Sequence, residues 1–171
     1  MNIQVAILMG SDSDLDVMKG AAEVLDQFGI AYQMNVLSAH RTPKQTTDYI
    51  ENAPANGVKV VIAGAGGAAH LAGVCAAHFP GPVIGIPVKS KALKGLDSLL
   101  STVQMPPGVP VATVGIDAAQ NAGLLAVKIL AVSDEALATK LKEYTEKQTE
   151  KVLDKNIKLN ELGYKKYLEE K

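Results

Sequence analysis

A histidine and an arginine stand side by side in residues 38–43 (SAHRTP), just before a predicted helix. Histidine, with an ordinary pKa near ~6.5, suits proton transfer at neutral pH. The planar guanidinium of arginine suits a phosphate or a carboxylate. Taken alone, the pair is equally well explained as a surface histidine and a solvated arginine. It indicates acid–base chemistry beside an anion if other binding groups converge on it.

Two serines follow the first predicted strand, in residues 10–14 (GSDSD). Gly10 allows a tight turn, and Ser11 and Ser13 offer hydroxyls beside the exposed N–H groups of a helix start. Such a turn can hold an anion. Serine and aspartate are also preferred helix caps, and capping alone explains this motif. The two roles can coexist.

A glycine-rich loop follows the third predicted strand, in residues 64–70 (GAGGAAH). Glycines at this density let a ligand approach bare backbone, whose N–H groups can bind a carboxylate or a CO2-like group. The loop differs from a nucleotide phosphate-binding loop because no Gly-Lys-Ser/Thr follows. His70 closes this segment, and a structural histidine packed near the site remains an alternative for it.

The remaining histidine and the cysteine support no further site. His78 belongs to no motif, so we expect it at the surface. Cys75 is isolated on an apolar helix face and is predicted to be a small core residue. The three histidines lack the spacing of metal ligands, so no metal site is predicted.

Strand-like and helix-like segments alternate along the chain. The apolar runs predict strands at 3–9, 31–37, 59–63, 82–87 and 109–115, and helices at 14–28, 43–51, 68–78 and 118–132. This alternation predicts an α/β fold with a doubly wound parallel sheet and right-handed crossovers. Ligands of such sheets bind beyond the carboxyl ends of the strands, where all three motifs fall. Their convergence indicates an active site.

Two segments depart from this alternation. Residues 89–107 are longer than a bare connection and are expected to form in part an exposed loop that serves a site or a subunit contact. After Ser133 the composition becomes strongly charged. We therefore predict a single catalytic domain at 1–133 and a helical tail at 134–171 that packs on a neighbouring subunit.

Composition narrows the class of protein. The chain has 171 residues, 47% of them hydrophobic, with 17 basic and 18 acidic residues and a net charge of −1. This balance argues against general nucleic-acid binding. No apolar run approaches the ~20 residues of a membrane span, and residues 1–5 do not resemble a signal peptide. With one cysteine, a cytoplasmic enzyme is predicted.

Four blocks carry a resemblance to a known family. They are residues 9–14 (MGSDSD), 38–43 (SAHRTP), 63–71 (AGAGGAAHL) and 97–106 (DSLLSTVQMP). Together they resemble class I 5-(carboxyamino)imidazole ribonucleotide mutase, the catalytic-subunit family of phosphoribosylaminoimidazole carboxylase. The resemblance runs from about residue 5 to residue 130.

The resemblance implies a three-layer αβα, flavodoxin-like fold and a homo-octamer whose sites are completed by neighbouring subunits. It implies an isomerase of de novo purine biosynthesis that uses no cofactor, neither ATP, biotin nor a metal. Its small-molecule substrate would be 5-(carboxyamino)imidazole ribonucleotide. The carboxylate would move from the exocyclic nitrogen to a ring carbon, giving 5-amino-4-imidazolecarboxylate ribonucleotide.

Residue roles follow from the same resemblance, by matching position. His40 would be the general acid–base. The 5′-phosphate would be held by Ser13, Ser38 and Arg41, and the ribose hydroxyls by Asp14.

The migrating carboxylate would lie against Ser11 and the backbone of Ala65 and Gly66. Gly67 and His70 complete the predicted substrate-binding set.

Two alternatives remain open. The class II relatives, which resemble SAHKGP at the second strand end, carboxylate aminoimidazole ribonucleotide directly with CO2; residues 41–43 (RTP) favour class I. A non-catalytic nucleotide-phosphate sensor on the same fold would need the phosphate-binding groups but not His40. Turnover of each substrate separates the three.

Overall fold

Parallel strands form the centre of the computed structural model, which describes residues 3–170. Within these residues the sheet has five strands: β1 (Val5–Met9), β2 (Tyr32–Val36), β3 (Val60–Gly66), β4 (Val83–Val88) and β5 (Ala112–Thr113). All neighbours pair in parallel, in the order β2-β1-β3-β4-β5. β1 and β4 are buried along their whole length, as strands covered on both faces must be. This is the flavodoxin-like strand order.

Helices connect the strands. They are α1 (Leu15–Phe28), α2 (Pro43–Asn52), α3 (Leu71–His78), α4 (Leu96–Val103) and α5 (Ala119–Ala131). Four of them occupy predicted helices, whereas α4 lies in the segment 89–107 for which only a partial loop was expected. The fifth strand is shorter than the predicted 109–115. Pro110 has no N–H to donate to a neighbouring strand, and β5 begins after it.

The core lies on both faces of the sheet. On one face, alternate strand residues such as Leu8 and Ala63 pack with α2 and α3, including the fully buried Cys75. Its complete burial confirms the predicted core role of Cys75 and raises the pKa of its thiol to about 12. On the other face, α1 lies against β3. A Cβ at Gly64 would lie 2.2 Å from the Met18 sulfur, so only glycine permits this approach.

Beyond α5 the chain forms α6 (Glu135–Glu169), which is interrupted at Gly163, where φ is 70°. Asp134 caps its start by accepting the Leu137 N–H at 3.0 Å. Contacts divide the chain into two compact units between Leu130 and Ala131. Residues 1, 2 and 171 lie outside the described residues. They include the start of the predicted domain and of the segment compared with a signal peptide, and the last residue of the predicted tail. Across residues 3–170, no helix combines the length and the apolar character that crossing a membrane requires.

Candidate active site

The strand order brings three loops to one edge of the sheet. β1 lies between β2 and β3, so the loops that follow these strands adjoin one another at the carboxyl ends. They enclose a cleft of about 330 Å³. Its lining includes all but one of the predicted site residues, namely Ser11, Ser13, Asp14, Ser38, His40, Arg41, Ala65, Gly66 and His70. The exception is Gly67.

Ser11 organises the turn after β1. Its hydroxyl oxygen accepts the Ser13 N–H at 3.3 Å and the Ser13 hydroxyl at 2.9 Å. Ser11 thereby caps the short 3-10 turn Asp12–Asp14, so the predicted capping role is present. Both hydroxyls nevertheless line the cleft.

Asp14 places a carboxyl in the cleft wall at only 9% exposure. Burial raises the pKa of Asp14 above its ordinary value. Hydrogen bonds from the Ser11 backbone and the Ser13 side chain, and the charge of Arg41, act in the opposite direction. A carboxyl in this position accepts hydrogen bonds well, which suits it to bind hydroxyl groups of a ligand.

Thr42 fixes the loop after β2. Its hydroxyl accepts the Ser38 N–H at 2.8 Å and donates to the Ser38 carbonyl at 3.1 Å, so one side chain closes the loop. The Arg41 N–H donates to the Ser38 hydroxyl at 3.2 Å. The Arg41 guanidinium donates to the Gly10 carbonyl, which ties this loop to the turn after β1. A cation and three serine hydroxyls therefore line one cleft.

His40 and His70 form a direct pair. Nε2 of His40 lies 2.8 Å from Nδ1 of His70, and the two rings meet edge to face at 82° with centroids 4.9 Å apart. At this distance a hydrogen bond joins the two rings, and their tautomers set which nitrogen donates. His70 is exposed rather than packed in the core, and it contacts the predicted acid–base residue. No sequence signal links two histidines 30 residues apart.

The glycine loop divides into two parts. Ala65 and Gly66 line the cleft. The Gly67 N–H instead donates to the Ser98 hydroxyl at 2.9 Å, and its carbonyl accepts the Ser101 hydroxyl at 3.1 Å. Gly67 is therefore held by α4 and contributes no surface to the cleft.

Sequence reasoning assigned no role to several residues that the structure brings to the site. Ala39, Ala68 and Leu71, together with Gly10, complete the lining, and apolar side chains give no sequence signal of a binding site. Ser98 and Ser101 belong to the fourth block of the family resemblance, and the sequence predicts no role for them. Two hydroxyl side chains three residues apart on a helix that is otherwise rich in leucine are the sequence feature that could have indicated one.

Outside the cleft, His78 is exposed as predicted and pairs with Glu51 at 2.9 Å. Among the described residues, no three His, Cys, Asp or Glu side chains form a cluster that could hold a metal ion.

An open α/β sheet with a polar cleft at the ends of β1, β2 and β3 defines a flavodoxin-like protein that acts on a small molecule. The chain belongs to the AIR carboxylase family, whose family model matches residues 4–151. It is 60% identical over 166 residues to the N5-carboxyaminoimidazole ribonucleotide mutase of Pyrococcus abyssi, covering 97% of this chain and 95% of that one. It is 55% identical over 168 residues to the mutase of the same name from Thermotoga maritima, covering 98% of both.

A solved structure agrees with the fold. The crystal structure of Treponema denticola PurE superposes with a TM-score of 0.84 at 32% identity, covering 91% of this chain and 98% of that chain. The predicted family, the flavodoxin-like fold and the enzyme class, an isomerase of purine biosynthesis, are confirmed by these matches.

Proposed function

We propose that the chain converts 5-(carboxyamino)imidazole ribonucleotide into 5-amino-4-imidazolecarboxylate ribonucleotide, with His40 as general acid–base. The observation that carries this proposal is the composition of the cleft. It combines two paired histidines, three serine hydroxyls, an arginine and the backbone of the glycine loop in one cleft. Relatives up to 60% identical carry the name of the mutase.

The ribose phosphate fits the serine–arginine side of the cleft. Nε of Arg41 already lies 3.5 Å from the Ser38 hydroxyl, so a cation and a donor adjoin where a phosphate would bind. Ser13 adds a hydroxyl from the adjoining turn after β1. Asp14 would accept hydrogen bonds from the ribose hydroxyls. Ser11 and the backbone of Ala65 and Gly66 would then bind the migrating carboxylate.

The proposed reaction needs one proton and returns it. Protonated His40 donates to the exocyclic nitrogen, the carbon–nitrogen bond breaks, and its electron pair stays on nitrogen while CO2 is released into the cleft. The ring carbon then attacks CO2, and neutral His40 removes the proton from that carbon. The product is an isomer of the substrate, and His40 ends protonated, as it began.

Retention of CO2 is the second requirement. A closed pocket excludes water and keeps the two fragments together, so recapture becomes effectively unimolecular. Such positioning can contribute roughly 7–11 kcal/mol to lowering a barrier at best. During recapture, His70 would hold the ring of His40 in one orientation through the 2.8 Å contact between them.

The test is an assay of chemically prepared 5-(carboxyamino)imidazole ribonucleotide with the purified protein. Conversion to the carbon-carboxylated isomer without ATP or added bicarbonate supports the proposal. Efficient carboxylation of aminoimidazole ribonucleotide by CO2, with no isomerisation, would show the class II reaction instead. Binding of the nucleotide without either reaction would show a phosphate sensor.

We also propose a homo-oligomer, an octamer by family resemblance, with α4 at a subunit contact. Leu96, Leu100 and Val103 follow one face of α4 and are 46–52% exposed. An apolar stripe of this kind on a short helix favours contact with another subunit. Packing of the tail from residue 134 on a neighbouring subunit and a cytoplasmic location stay predictions.

A further inference from the structure

Two serines on α4 form hydrogen bonds with the backbone of Gly67, Ser98 with its N–H and Ser101 with its carbonyl. Neither serine lines the cleft. We propose that Ser98 and Ser101, the serine clamp, are positioning residues that keep the glycine loop in the shape that retains CO2 during the reaction. The inference rests on the proposed function.

Ser98 bridges two strand ends. Its side chain is fully buried, and its hydroxyl accepts the Gly67 N–H at 2.9 Å while donating to the Val88 carbonyl at 2.6 Å. The hydroxyl thus links the loop after β3 to the end of β4. Its removal would leave both partners without this hydrogen bond, which is costly for buried groups.

Ser101 lies one turn further along α4. Its hydroxyl has one proton to donate and faces two acceptors, the Gly67 carbonyl at 3.1 Å and the nearer Asp97 carbonyl. Ser98 and Ser101 thus contact both polar groups of Gly67, whose carbonyl also accepts the Ala69 N–H at 2.9 Å within the loop. The Gly67 N–H is bonded by α4, and its carbonyl is bonded by both α4 and the loop.

Gly67 has open space on the side where a side chain would project. Its backbone is left-handed, with φ of 66°, and apart from its two chain neighbours no described residue comes within 4 Å of the position that a Cβ would take. Its neighbours Gly66 and Ala68 both line the cleft. Because no side chain packs on Gly67 from that direction, the hydrogen bonds of the serine clamp restrain the loop on either side of it.

The consequence for the reaction concerns the interval after the carbon–nitrogen bond has broken. CO2 is then uncharged and no longer bonded to the nucleotide, so only the shape of the cleft retains it. If the loop loosens, CO2 escapes and hydrates, and the protonated nitrogen is left as the free amine of aminoimidazole ribonucleotide. The fraction of released CO2 that leaves the cleft, called the escaped fraction, therefore measures the function of the serine clamp.

The experiment uses substrate labelled with 13C at the migrating carboxylate, and NMR of the full-length protein's reaction. Label is counted in the product and in free CO2 plus bicarbonate. We expect Ser98→Ala and Ser101→Ala to raise the escaped fraction about tenfold, the effect of losing one buried hydrogen bond. KM should change little because the phosphate and ribose groups bind at the other two loops.

Thr102→Val is the matched control. Thr102 is a buried hydroxyl on the same helix, and it donates to the Ser98 carbonyl at 2.7 Å without contacting Gly67. Its escaped fraction should remain that of the wild type. Ser101→Thr keeps a hydroxyl and should restore retention.

An escaped fraction in the serine variants equal to that of Thr102→Val would overturn the clamp while leaving the proposed function intact. The same holds if kcat and Tm fall with no change in that fraction. A wild-type protein that does not isomerise the substrate overturns the proposed function and the clamp together. Should Ser98→Ala fail to fold, half-buried Ser101 decides the outcome.

Discussion

At Asp14 the proposed binding role and the stability of the fold oppose each other. Burial raises its pKa above the ordinary value of 3.8, so the folded protein favours the protonated form more than the unfolded chain does. The stabilising effect of that protonation is complete below pH 3.8 and is lost as pH rises through the folded pKa. At neutral pH the ionised carboxylate therefore destabilises the fold.

Asp14→Asn should consequently raise Tm at pH 7, and the gain should shrink as pH falls through the folded pKa and be smallest below 3.8. Nucleotide affinity should fall because a carboxylate acceptor is lost. Thermal unfolding across pH, with and without nucleotide, measures both. Asp12→Asn, at an exposed position in the same turn, is the control and should leave Tm nearly unchanged. A lower Tm for Asp14→Asn at pH 7 would contradict this account.

Thr42 gives a second prediction at this scale. Thr42→Val keeps the shape but deprives the Ser38 N–H of its acceptor, so we expect a loss of about 1–2 kcal/mol in the free energy of unfolding. KM should rise because the loop carries Ser38 and Arg41. Thr47→Val is the control, since its hydroxyl bonds only carbonyls of its own helix. Equal effects of the two substitutions, by denaturant unfolding and steady-state kinetics, would refute the role of Thr42.

At the scale of elements, the sequence allowed the convergence of three strand ends to be predicted because each motif directly follows an apolar run. The His40–His70 pair could not be predicted, since it depends on the register of β2 and β3 on either side of β1. The hydrogen bond between Ser98 on α4 and Gly67 could not be predicted either, because it joins residues 31 positions apart. Local patterns specify elements, whereas contacts between distant loops depend on their packing.

Gly64 tests the packing of α1 against β3. Gly64→Ala would force a Cβ against the Met18 sulfur and should destabilise the protein by about 1–3 kcal/mol. Gly66→Ala should cost less, because its nearest contact is the Val88 carbonyl at 3.4 Å. Met18→Ala combined with Gly64→Ala should be less destabilising than the sum of the single changes. Strict additivity in denaturant unfolding would show that the two residues do not compete for space.

At the scale of the whole molecule, the proposed subunit contact rests on the exposed apolar face of α4. Leu100→Glu places a charge in the proposed contact and should yield smaller species by sedimentation velocity. Val132→Glu, which changes an 88% exposed residue outside that face, should sediment as the wild type does. A monomeric wild type, or an unchanged Leu100→Glu assembly, would contradict the proposed contact.

The central claim is that His40 moves the single proton that the isomerisation requires. The most direct measurement is the turnover of 5-(carboxyamino)imidazole ribonucleotide by His40→Asn, with nucleotide affinity determined on the same sample. The account predicts a rate at least about a hundredfold lower, the usual contribution of a general acid–base. Affinity should change little, because Ser13, Ser38 and Arg41 remain. Near-normal turnover by His40→Asn would contradict the account.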